Sequence, residues 1–393
     1  MATEQMRFSI VLGQRLTWRE MLANARETET LGFDGLFLVD HFFGRLDIHE
    51  PTHEGYTMLA ALAPFTQHLR LGLMVAGNTY RNPMFLLKQA MTVDHISGGR
   101  VDFGVGAGWV EREHEAYSYH FPAPKERVDR FAEALEVWNL LQRESHTTYN
   151  GQYYQFLDAP FEPKSLQGKL PVLIGGSKPR MLRLTARYAD LWNCTVSPDA
   201  GADLNRQLND ACRAEGRDPS AIERTVSPEM NLLASVQAFV DGVEAYRAAG
   251  FSHITMPWPR NESEVPILRA AARQVMPQYR IADVRVGRSV TQTLRTLTAA
   301  DRGLAEQVRT EIGESADWAV LAYLIQHPDQ LIDGNVIASG VGLETHADVT
   351  RAFANLAAAY ERQGIARPWL EGPRGRTLRA DMAAIPGTGG DDR

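Results

Sequence analysis

Cysteine is scarce in this sequence, with Cys194 and Cys212 as its two examples among 393 residues. Two thiols are too few for a disulfide framework, and the cysteines and histidines show none of the spacings typical of a metal site. We therefore expect neither a disulfide-stabilised scaffold nor a bound metal ion.

The sequence also lacks long apolar runs and an excess of positive charge. No stretch reaches the ~18 consecutive apolar residues that a membrane span needs. The opening MATEQMRFSIVLG lacks the basic and apolar regions of a signal peptide. We therefore expect a cytoplasmic protein that does not bind membranes. A formal net charge of −7 argues against nucleic-acid binding through bulk charge.

Eight short apolar segments alternate with amphipathic ones over roughly the first 280 residues. They are near-continuous apolar runs, which is typical of parallel strands buried on both faces. Because parallel neighbours need helical crossovers, eight such units predict an α/β fold with a closed (β/α)8 TIM barrel, and an open doubly wound sheet is the alternative. The predicted strands are Phe8–Leu12, Gly35–Asp40, Leu69–Ala76, Arg100–Gly106, Pro171–Gly175, Asp190–Cys194, Arg224–Leu233 and Ser252–Pro257.

Two segments depart from this pattern. Residues 145–170, between the fourth helix and the fifth strand, are rich in aromatics, glycine and proline, and we expect an excursion, such as a hairpin, over the site. Beyond residues 1–283, which we assign to the barrel, residues 284–385 are expected to form a mainly helical, winged-helix-like module and 386–393 a disordered tail.

The charge of the C-terminal part bears on its role. Residues 284–393 contain twelve arginines, no lysine and fourteen acidic residues, so their net charge is −2. A winged helix that binds DNA presents a basic recognition helix, which this composition does not favour. A structural, dimerising or lid role is therefore favoured over DNA binding, which stays an alternative.

The functional side chains of a TIM barrel lie at the C-terminal ends of its strands. The second strand ends in Asp40 and His41, which can supply an imidazole beside a carboxylate for proton transfer. A helix cap next to a surface histidine is the alternative. The third strand ends in Ala76 and Gly77, whose small size lets a flat ring approach the backbone, unless they only form a bulge or turn.

Glycines also mark the ends of the fourth and fifth strands. Gly104, Gly106 and Gly108 leave room at the barrel mouth, although this run is weak evidence for a dinucleotide site. After the fifth strand, Gly175–Lys178 (GGSK) opens a helix, and its backbone N–H groups, hydroxyl and cation favour a phosphate site. An ordinary turn with Ser177 as the helix cap is the alternative.

These motifs together resemble the bacterial-luciferase-like family, and more narrowly its branch of oxidoreductases that depend on the deazaflavin coenzyme F420. The similar segments are GLFLVDHF, LGLMVAGNTYRNPMF, GVGAGWVEREHEAYSYHFP and LPVLIGGSKPRMLRLTARYADLWN, within about residues 7–280. The resemblance implies a cofactor in the barrel mouth, coenzyme F420 in the first place and FMN as the alternative, and a homodimer.

The resemblance also implies candidate site residues. His41 would transfer protons beside Asp40, and a bulge around Leu73–Ala76, which in the deazaflavin enzymes often contains a non-prolyl cis peptide, would back the cofactor ring. The implied cofactor-binding residues are Asp40, Val75, Ala76, Asn78, Gly106, Gly175, Gly176, Ser177 and Arg180. The implied substrate-side residues are Trp109, Glu111, His114, Tyr153 and Tyr154.

One residue departs from the family pattern. The sugar-phosphate dehydrogenases of this family carry a proton-donating glutamate just after the glycines of the fourth strand, where this sequence has Trp109. A tryptophan cannot donate an acidic proton, and it adds a flat apolar wall to the pocket. We therefore expect an apolar or aromatic organic substrate in place of a sugar phosphate.

Three functions follow from these expectations. The first is an oxidoreductase that moves a hydride between coenzyme F420 and a small organic substrate. The second is a monooxygenase that uses reduced FMN and O2 on the same fold. The third is a ligand- or redox-sensing regulator that would bind DNA through the C-terminal module.

Overall fold

A computed structural model describes residues 5–44 and 47–280, together with the backbone of residues 369–372 and 375–378. Its strands, in chain order, are β1 (Arg7–Val11), β2 (Gly35–Leu38), β3 (Arg70–Leu73), β4 (Ala76–Gly77), β5 (Val101–Gly106), β6 (His146–Asn150), β7 (Gln155–Pro160), β8 (Val172–Gly175), β9 (Leu191–Val196), β10 (Glu223–Pro228), β11 (His253–Pro257), β12 (Trp369–Gly372) and β13 (Gly375–Leu378).

Eight parallel strand positions close into a barrel, with β3 and β4 sharing one position on either side of a bulge. The order is β3-β2-β1-β11-β10-β9-β8-β5, and β3 pairs in parallel with β5 to complete the ring. The predicted TIM barrel is confirmed, and the open doubly wound sheet is excluded because the β3–β5 pairing joins the two ends of the strand order.

The α-helices of the described residues surround the barrel, and several of them begin at polar caps that the sequence supplies. Thr17 and Glu20 form a capping box at the start of the first helix, and Asn82 caps the third, which has Pro83 in its first turn. The helices are α1 (Trp18–Thr30), α2 (Gly55–Leu62), α3 (Pro83–Ser97), α4 (Glu111–Ala116), α5 (Pro124–Arg143), α6 (Pro179–Tyr188), α7 (Pro198–Ala214), α8 (Val236–Ala248), α9 (Val265–Gln274) and α10 (Met276–Arg280).

The interior of the barrel has an apolar cluster of its own. Phe37, Leu173 and Leu191 are buried there against one another, whereas Leu36 and Leu38, the neighbours of Phe37 on β2, belong to the core between strands and helices. Successive side chains of a strand point to opposite faces, so β2 serves both cores. Full burial of such a side chain contributes about 2 kcal/mol of stability, and the cluster fills the barrel interior with side chains.

A polar network lies at the end of the barrel where the strands begin, opposite the C-terminal ends of the strands. The Ser9 hydroxyl lies 2.7 Å from Nε2 of His253, whose Nδ1 lies 2.9 Å from the Glu223 carboxylate. Glu223 also accepts a hydrogen bond of 2.8 Å from Arg7. Ser9 and His253 are fully buried, so this network supplies partners to polar groups that water does not reach, while Arg7 and Glu223 at its outer side are partly exposed.

The structure refines two of the predicted elements. The seventh barrel strand ends at Pro228 and not at Leu233, because a 3-10 turn over Leu232–Ala234, capped by the Asn231 side chain, follows it. The excursion over residues 145–170 contains an antiparallel hairpin of β6 and β7. Among the helices of the described residues, none is both long and apolar enough to cross a membrane.

The chain divides into two units, residues 1–283 and 284–393. In the second unit the structure describes β12 and β13, which form a small antiparallel hairpin. The helices predicted ahead of this hairpin and the predicted tail lie outside the described residues. The winged-helix-like module, its proposed contact with DNA and the regulator hypothesis therefore stay predictions.

Candidate active site at the barrel mouth

Asp40 joins the end of β2 to the bulged third strand. Its carboxylate accepts a hydrogen bond of 2.8 Å from the Gly77 backbone N–H and forms a two-point ion pair with Arg81, at 2.7 and 2.8 Å. Arg81 also donates to Glu54 at 2.8 Å. Burial lowers the pKa of Arg81, but its hydrogen bonds and these two carboxylates outweigh burial and raise that pKa.

These contacts give Asp40 a positioning role. Both of its oxygens are engaged by protein donors and its side chain is buried, which leaves it little capacity to exchange a proton with a substrate. Asp40 thus holds β2, Gly77 and Arg81 together, and the catalytic roles of Asp40 and of its neighbour His41 stay predictions. Contact of Asp40 with a cofactor stays a prediction.

His41 lies beside a buried carboxylate that the sequence analysis did not select. Its Nδ1 atom is 3.1 Å from Oε2 of Glu113, and the same oxygen accepts a hydrogen bond from the Tyr80 hydroxyl. The other oxygen, Oε1, accepts the backbone N–H of Phe42 at 2.7 Å. The His41 side chain is 25% exposed and that of Glu113 is 1% exposed, so His41 is the member of the pair that faces solvent.

The charges of this cluster follow from its contacts. Burial raises the pKa of Glu113, but hydrogen bonds from His41, Tyr80 and the Phe42 backbone outweigh it and hold the pKa below its ordinary value. Burial and the hydrogen bond to Glu113 raise the pKa of Tyr80. Near pH 7, Glu113 is therefore ionised and Tyr80 is neutral, so Glu113 only accepts hydrogen bonds.

Trp109 stands edge-on to the imidazole of His41. The two ring centroids are 5.8 Å apart with an interplanar angle of 87°, and 61% of Trp109 is exposed. On the other side of the cluster, Phe42 packs against Tyr80 with centroids 4.8 Å apart. The imidazole of His41 is thus bordered by the indole of Trp109, whose place on the substrate side stays a prediction.

The bulge between β3 and β4 places Val75 against the bare backbone of two other strands. The Met74–Val75 peptide bond is cis. A β-carbon at Gly106 or Gly175 would lie 2.9 Å from a methyl carbon of Val75, too close for any side chain. The bulge lies within Leu73–Ala76, where the resemblance places it. The glycines at the ends of β5 and β8 therefore make room for Val75.

Asn78 connects the mouth to the β6–β7 hairpin. Its backbone N–H donates to the Gly106 carbonyl at 2.9 Å, and its side-chain amide donates to the Tyr154 hydroxyl at 3.2 Å. The Asn78 Oδ1 atom is buried without a partner among the described residues. Tyr153 packs under Arg130, whose guanidinium lies 4.5 Å from the ring centroid. The hairpin thus reaches the mouth through Tyr154.

At the predicted phosphate site, one backbone N–H group is already hydrogen-bonded within the protein and others are not. The Gly176 N–H is already used by the Asn193 carbonyl at 3.1 Å, and Gly176 has a φ of +140°, which favours glycine. The N-cap of α6 is Lys178, and no side chain caps this helix. The alternative in which Ser177 caps the helix is therefore wrong, and the first N–H groups of α6 after Pro179 remain for a ligand.

Three residues implied by the resemblance as cofactor-binding or substrate-side residues make contacts with the protein or lie exposed at its surface. Arg180 is ion-paired with Asp129 and donates to the Lys125 carbonyl at 3.2 Å, so its guanidinium is tied to α5. Glu111 is exposed at the start of α4. His114 has no exposed surface, and its ring nitrogens contact the Val110 carbonyl and the Thr79 hydroxyl, each at 2.7 Å.

The burial of His114 and its two hydrogen bonds indicate a packing role, and its contact with a substrate stays a prediction. Its neighbour Glu113 and the buried Tyr80 are the residues that form hydrogen bonds in the cluster around His41. The sequence offers three glutamates in α4, at positions 111, 113 and 115, and no local signal separates them. Glu113 is distinguished only in the folded structure, where His41 and Phe42 of the loop after β2 contact its carboxylate.

Two surface cavities lie away from the mouth. One of about 770 Å³ is lined by residues at the starts of the last three barrel strands, including Asp190, Glu223 and Ser252. Another of about 440 Å³ lies between α5 and α6 residues such as Arg143 and Tyr188. We locate the candidate active site at the mouth because the acid–base groups are there. Within the described ranges, no group of three or more histidine, cysteine or acidic side chains could hold a metal ion.

Comparisons with known proteins agree with this fold. A pyrimidine monooxygenase from a Bradyrhizobium species is 29% identical over 214 residues, which are 52% of this chain but only 59% of that protein. An F420-dependent glucose-6-phosphate dehydrogenase from Kineococcus radiotolerans is 28% identical over 267 residues, 64% of this chain and 77% of the relative. The chain therefore spans less than two thirds of the first relative.

A solved structure extends the likeness at the level of the fold. An F420-dependent secondary alcohol dehydrogenase superposes with a TM-score of 0.60 at 16% identity, covering 67% of this chain and 97% of that one. The family described as luciferase-like monooxygenase matches residues 6–322, more than half of the sequence. The match runs past residue 283, the boundary expected for the barrel. The chain belongs to the luciferase-like monooxygenase family.

Proposed function

We propose that the protein is an oxidoreductase that moves a hydride between the deazaflavin coenzyme F420 and an apolar or aromatic organic substrate. One observation carries the proposal: the imidazole of His41 is held at the barrel mouth by buried Glu113 and borders the exposed ring of Trp109. An F420-dependent dehydrogenase among the relatives, 28% identical, supports the choice of cofactor.

The residues at the mouth fit a flat, hydrogen-bonding ring. Val75 packs against glycine backbone and gives a smooth apolar wall, and the buried Oδ1 of Asn78 needs a donor that the described residues do not supply. Val75, Ala76 and Asn78 would hold the ring, and Ser177 and the start of α6, which follow Gly176, would hold the phosphate. When bound, the coenzyme supplies the acceptor or donor of a hydride.

His41 handles the proton that accompanies the hydride. Oxidation of an alcohol-like carbon releases a proton, and reduction consumes one, so a group that both accepts and donates is needed. Glu113 engages Nδ1 of His41, which leaves the Nε2 side of the ring for this exchange. Asp40 and Arg81 stabilise the backbone from which His41 projects.

Trp109 determines the kind of substrate in this proposal. Its exposed indole offers a flat apolar surface next to His41, and such a surface favours apolar and aromatic molecules over sugar phosphates. Replacing Trp109 by Ala should raise KM for an aromatic substrate by about tenfold, because an aromatic contact of this size is worth about 1–1.5 kcal/mol.

A second candidate is a monooxygenase that uses reduced FMN and O2. The relative that favours it is the pyrimidine monooxygenase, at 29% identity. The phosphate and ring positions proposed above would serve FMN as well, because both coenzymes share a tricyclic ring, a ribityl chain and a phosphate. The choice between the two functions therefore depends on measured cofactor affinity and not on the shape of the mouth.

Titration of the full chain with each coenzyme tests the proposal. Fluorescence titration should give a lower Kd for coenzyme F420 than for FMN, and the Asn78→Ala variant should bind either one more weakly. Tight binding of FMN with no affinity for coenzyme F420 would overturn the first function. Oxygen consumption with reduced FMN and an aromatic substrate would then support the second. The homodimer implied by the resemblance stays a prediction.

A further inference from the structure

The two oxygens of Glu113 are not equivalent. Oε1 accepts the backbone N–H of Phe42 at 2.7 Å, and a backbone N–H can only donate. Oε2 faces the Tyr80 hydroxyl and Nδ1 of His41. Any side chain at position 113 that keeps this geometry must therefore place an acceptor at the Phe42 side.

The ionised carboxylate of Glu113 also determines which ring nitrogen of the neutral His41 imidazole carries the hydrogen. A carboxylate cannot donate a hydrogen bond, so the 3.1 Å contact is made only when Nδ1 of His41 carries hydrogen. The lone pair of the ring is then on Nε2. Of the described contacts, none engages Nε2, and the His41 side chain as a whole is 25% exposed.

We propose that Glu113 is a positioning residue that fixes the Nδ1–H tautomer of His41 and so leaves Nε2 as the atom that exchanges the proton. The proposal deepens the proposed function, since it assigns the reactive atom of the same histidine. When Nε2 accepts a proton, the ring becomes positive, and the Glu113 carboxylate then stabilises that charge. In both protonation states the Nδ1–H···Oε2 contact is kept, so the ring orientation does not change during turnover.

A single substitution separates this role from simple packing. In Glu113→Gln the amide oxygen must face Phe42, because that backbone N–H needs an acceptor. The amide nitrogen then takes the place of Oε2 and donates to Nδ1 of His41. This forces the hydrogen of the neutral ring onto Nε2, where it blocks proton acceptance, while the side chain keeps nearly the same volume.

The tautomer can be measured without cofactor or substrate. Two-dimensional 15N NMR of the full chain, at about pH 9 where an ordinary imidazole is neutral, distinguishes the protonated from the unprotonated ring nitrogen. We expect Nδ1–H for His41 in the wild type and in Glu115→Gln, an exposed glutamate of the same helix. Tyr80→Phe, which removes the hydroxyl that donates to Oε2 but leaves the Glu113 carboxylate in place, should also keep Nδ1–H. Glu113→Gln should show Nε2–H.

Activity supplies the second measurement. Because a wrong tautomer removes proton transfer, Glu113→Gln should lower kcat by about 100- to 10,000-fold with little change in KM. Glu113→Asp, which keeps the carboxylate, should recover part of that loss. An Nε2–H ring in the wild type, or the same tautomer in wild type and Glu113→Gln, would overturn the proposal. The NMR result stands even if coenzyme F420 proves not to bind, so the two proposals fail separately.

Discussion

The carboxylate of Asp40 and the guanidinium of Arg81 form a two-point ion pair beneath the barrel mouth, with N–O distances of 2.7 and 2.8 Å. Their side chains are 3% and 9% exposed, so the pair is almost completely withdrawn from water. The same carboxylate accepts the Gly77 N–H, which ties the end of one barrel strand to the bulge of the next.

Breaking this pair should destabilise the protein strongly. Asp40→Asn leaves the buried Arg81 with one charged partner, Glu54, in place of two, and loss of a buried partner costs about 3–5 kcal/mol. Urea unfolding measures this loss. As the control, Glu54→Gln removes the more exposed carboxylate, and we expect a loss below about 1 kcal/mol. Equal losses in the two variants would contradict the positioning role of Asp40.

Proton transfer by His41 predicts a large catalytic effect with a small effect on folding. His41→Ala should lower turnover by about 100- to 10,000-fold, the usual contribution of a general acid or base. Steady-state kinetics with the bound coenzyme measure it, and His120→Ala, at a histidine side chain that is 71% exposed, is the matched control. A loss below tenfold in His41→Ala would return His41 to a structural role.

The contact between Gly175 and Val75 predicts a steric coupling. Gly175→Ala places a β-carbon 2.9 Å from a Val75 methyl carbon, and overpacking of this kind destabilises by about 1–3 kcal/mol. Combining it with Val75→Ala should recover at least 0.5 kcal/mol of this loss by a double-mutant cycle. Gly13→Ala, where a β-carbon meets nothing within 4 Å, is the control. Additive losses would show that the two positions do not touch.

The buried network at the start of the strands predicts a dependence of stability on acid pH. Burial raises the pKa of Glu223, but contacts with His253 and Arg7 outweigh it and hold the pKa below its ordinary value. A depressed folded-state pKa contributes stability that is complete above the unfolded value, about 4.3, and is lost as pH falls through the folded value.

The measurement compares Glu223→Gln with the wild type by urea unfolding across pH. The free energy of unfolding of the variant should be lower by a constant amount above about pH 5.5, and the difference should shrink progressively below about pH 4. A difference that stays the same down to about pH 2.5 would mean that the charge of Glu223 does not stabilise the fold.

Much of the barrel could be predicted because its signals are local. Parallel strands buried on both faces give apolar runs such as Val101–Gly106, and caps such as Thr17 and Asn82 mark helix starts. The end of the seventh strand was placed too late, at Leu233. There the apolar Leu232 and Leu233 continue the run in composition but pack as a 3-10 turn.

The candidate site was predictable only in part, because its chemistry depends on contacts between distant segments. His41 and Trp109 could be selected, since each follows a barrel strand. Glu113 is 72 positions from His41, and nothing near it in the sequence marks it as the partner. The resemblance implies His114, the next residue, for the substrate side, whereas its ring is fully buried in the structure.

The filled interior of the barrel limits how molecules reach His41. Phe37, Leu173 and Leu191 occupy the lumen, and the fully buried Ser9 and His253 close its far end. These side chains fill the axis of the barrel in the part of the chain that the structure describes, so in the proposed function reactant and product would both pass through the mouth. A product still bound at the mouth would then block binding of the next reactant, and the rate of product release would limit the rate of turnover.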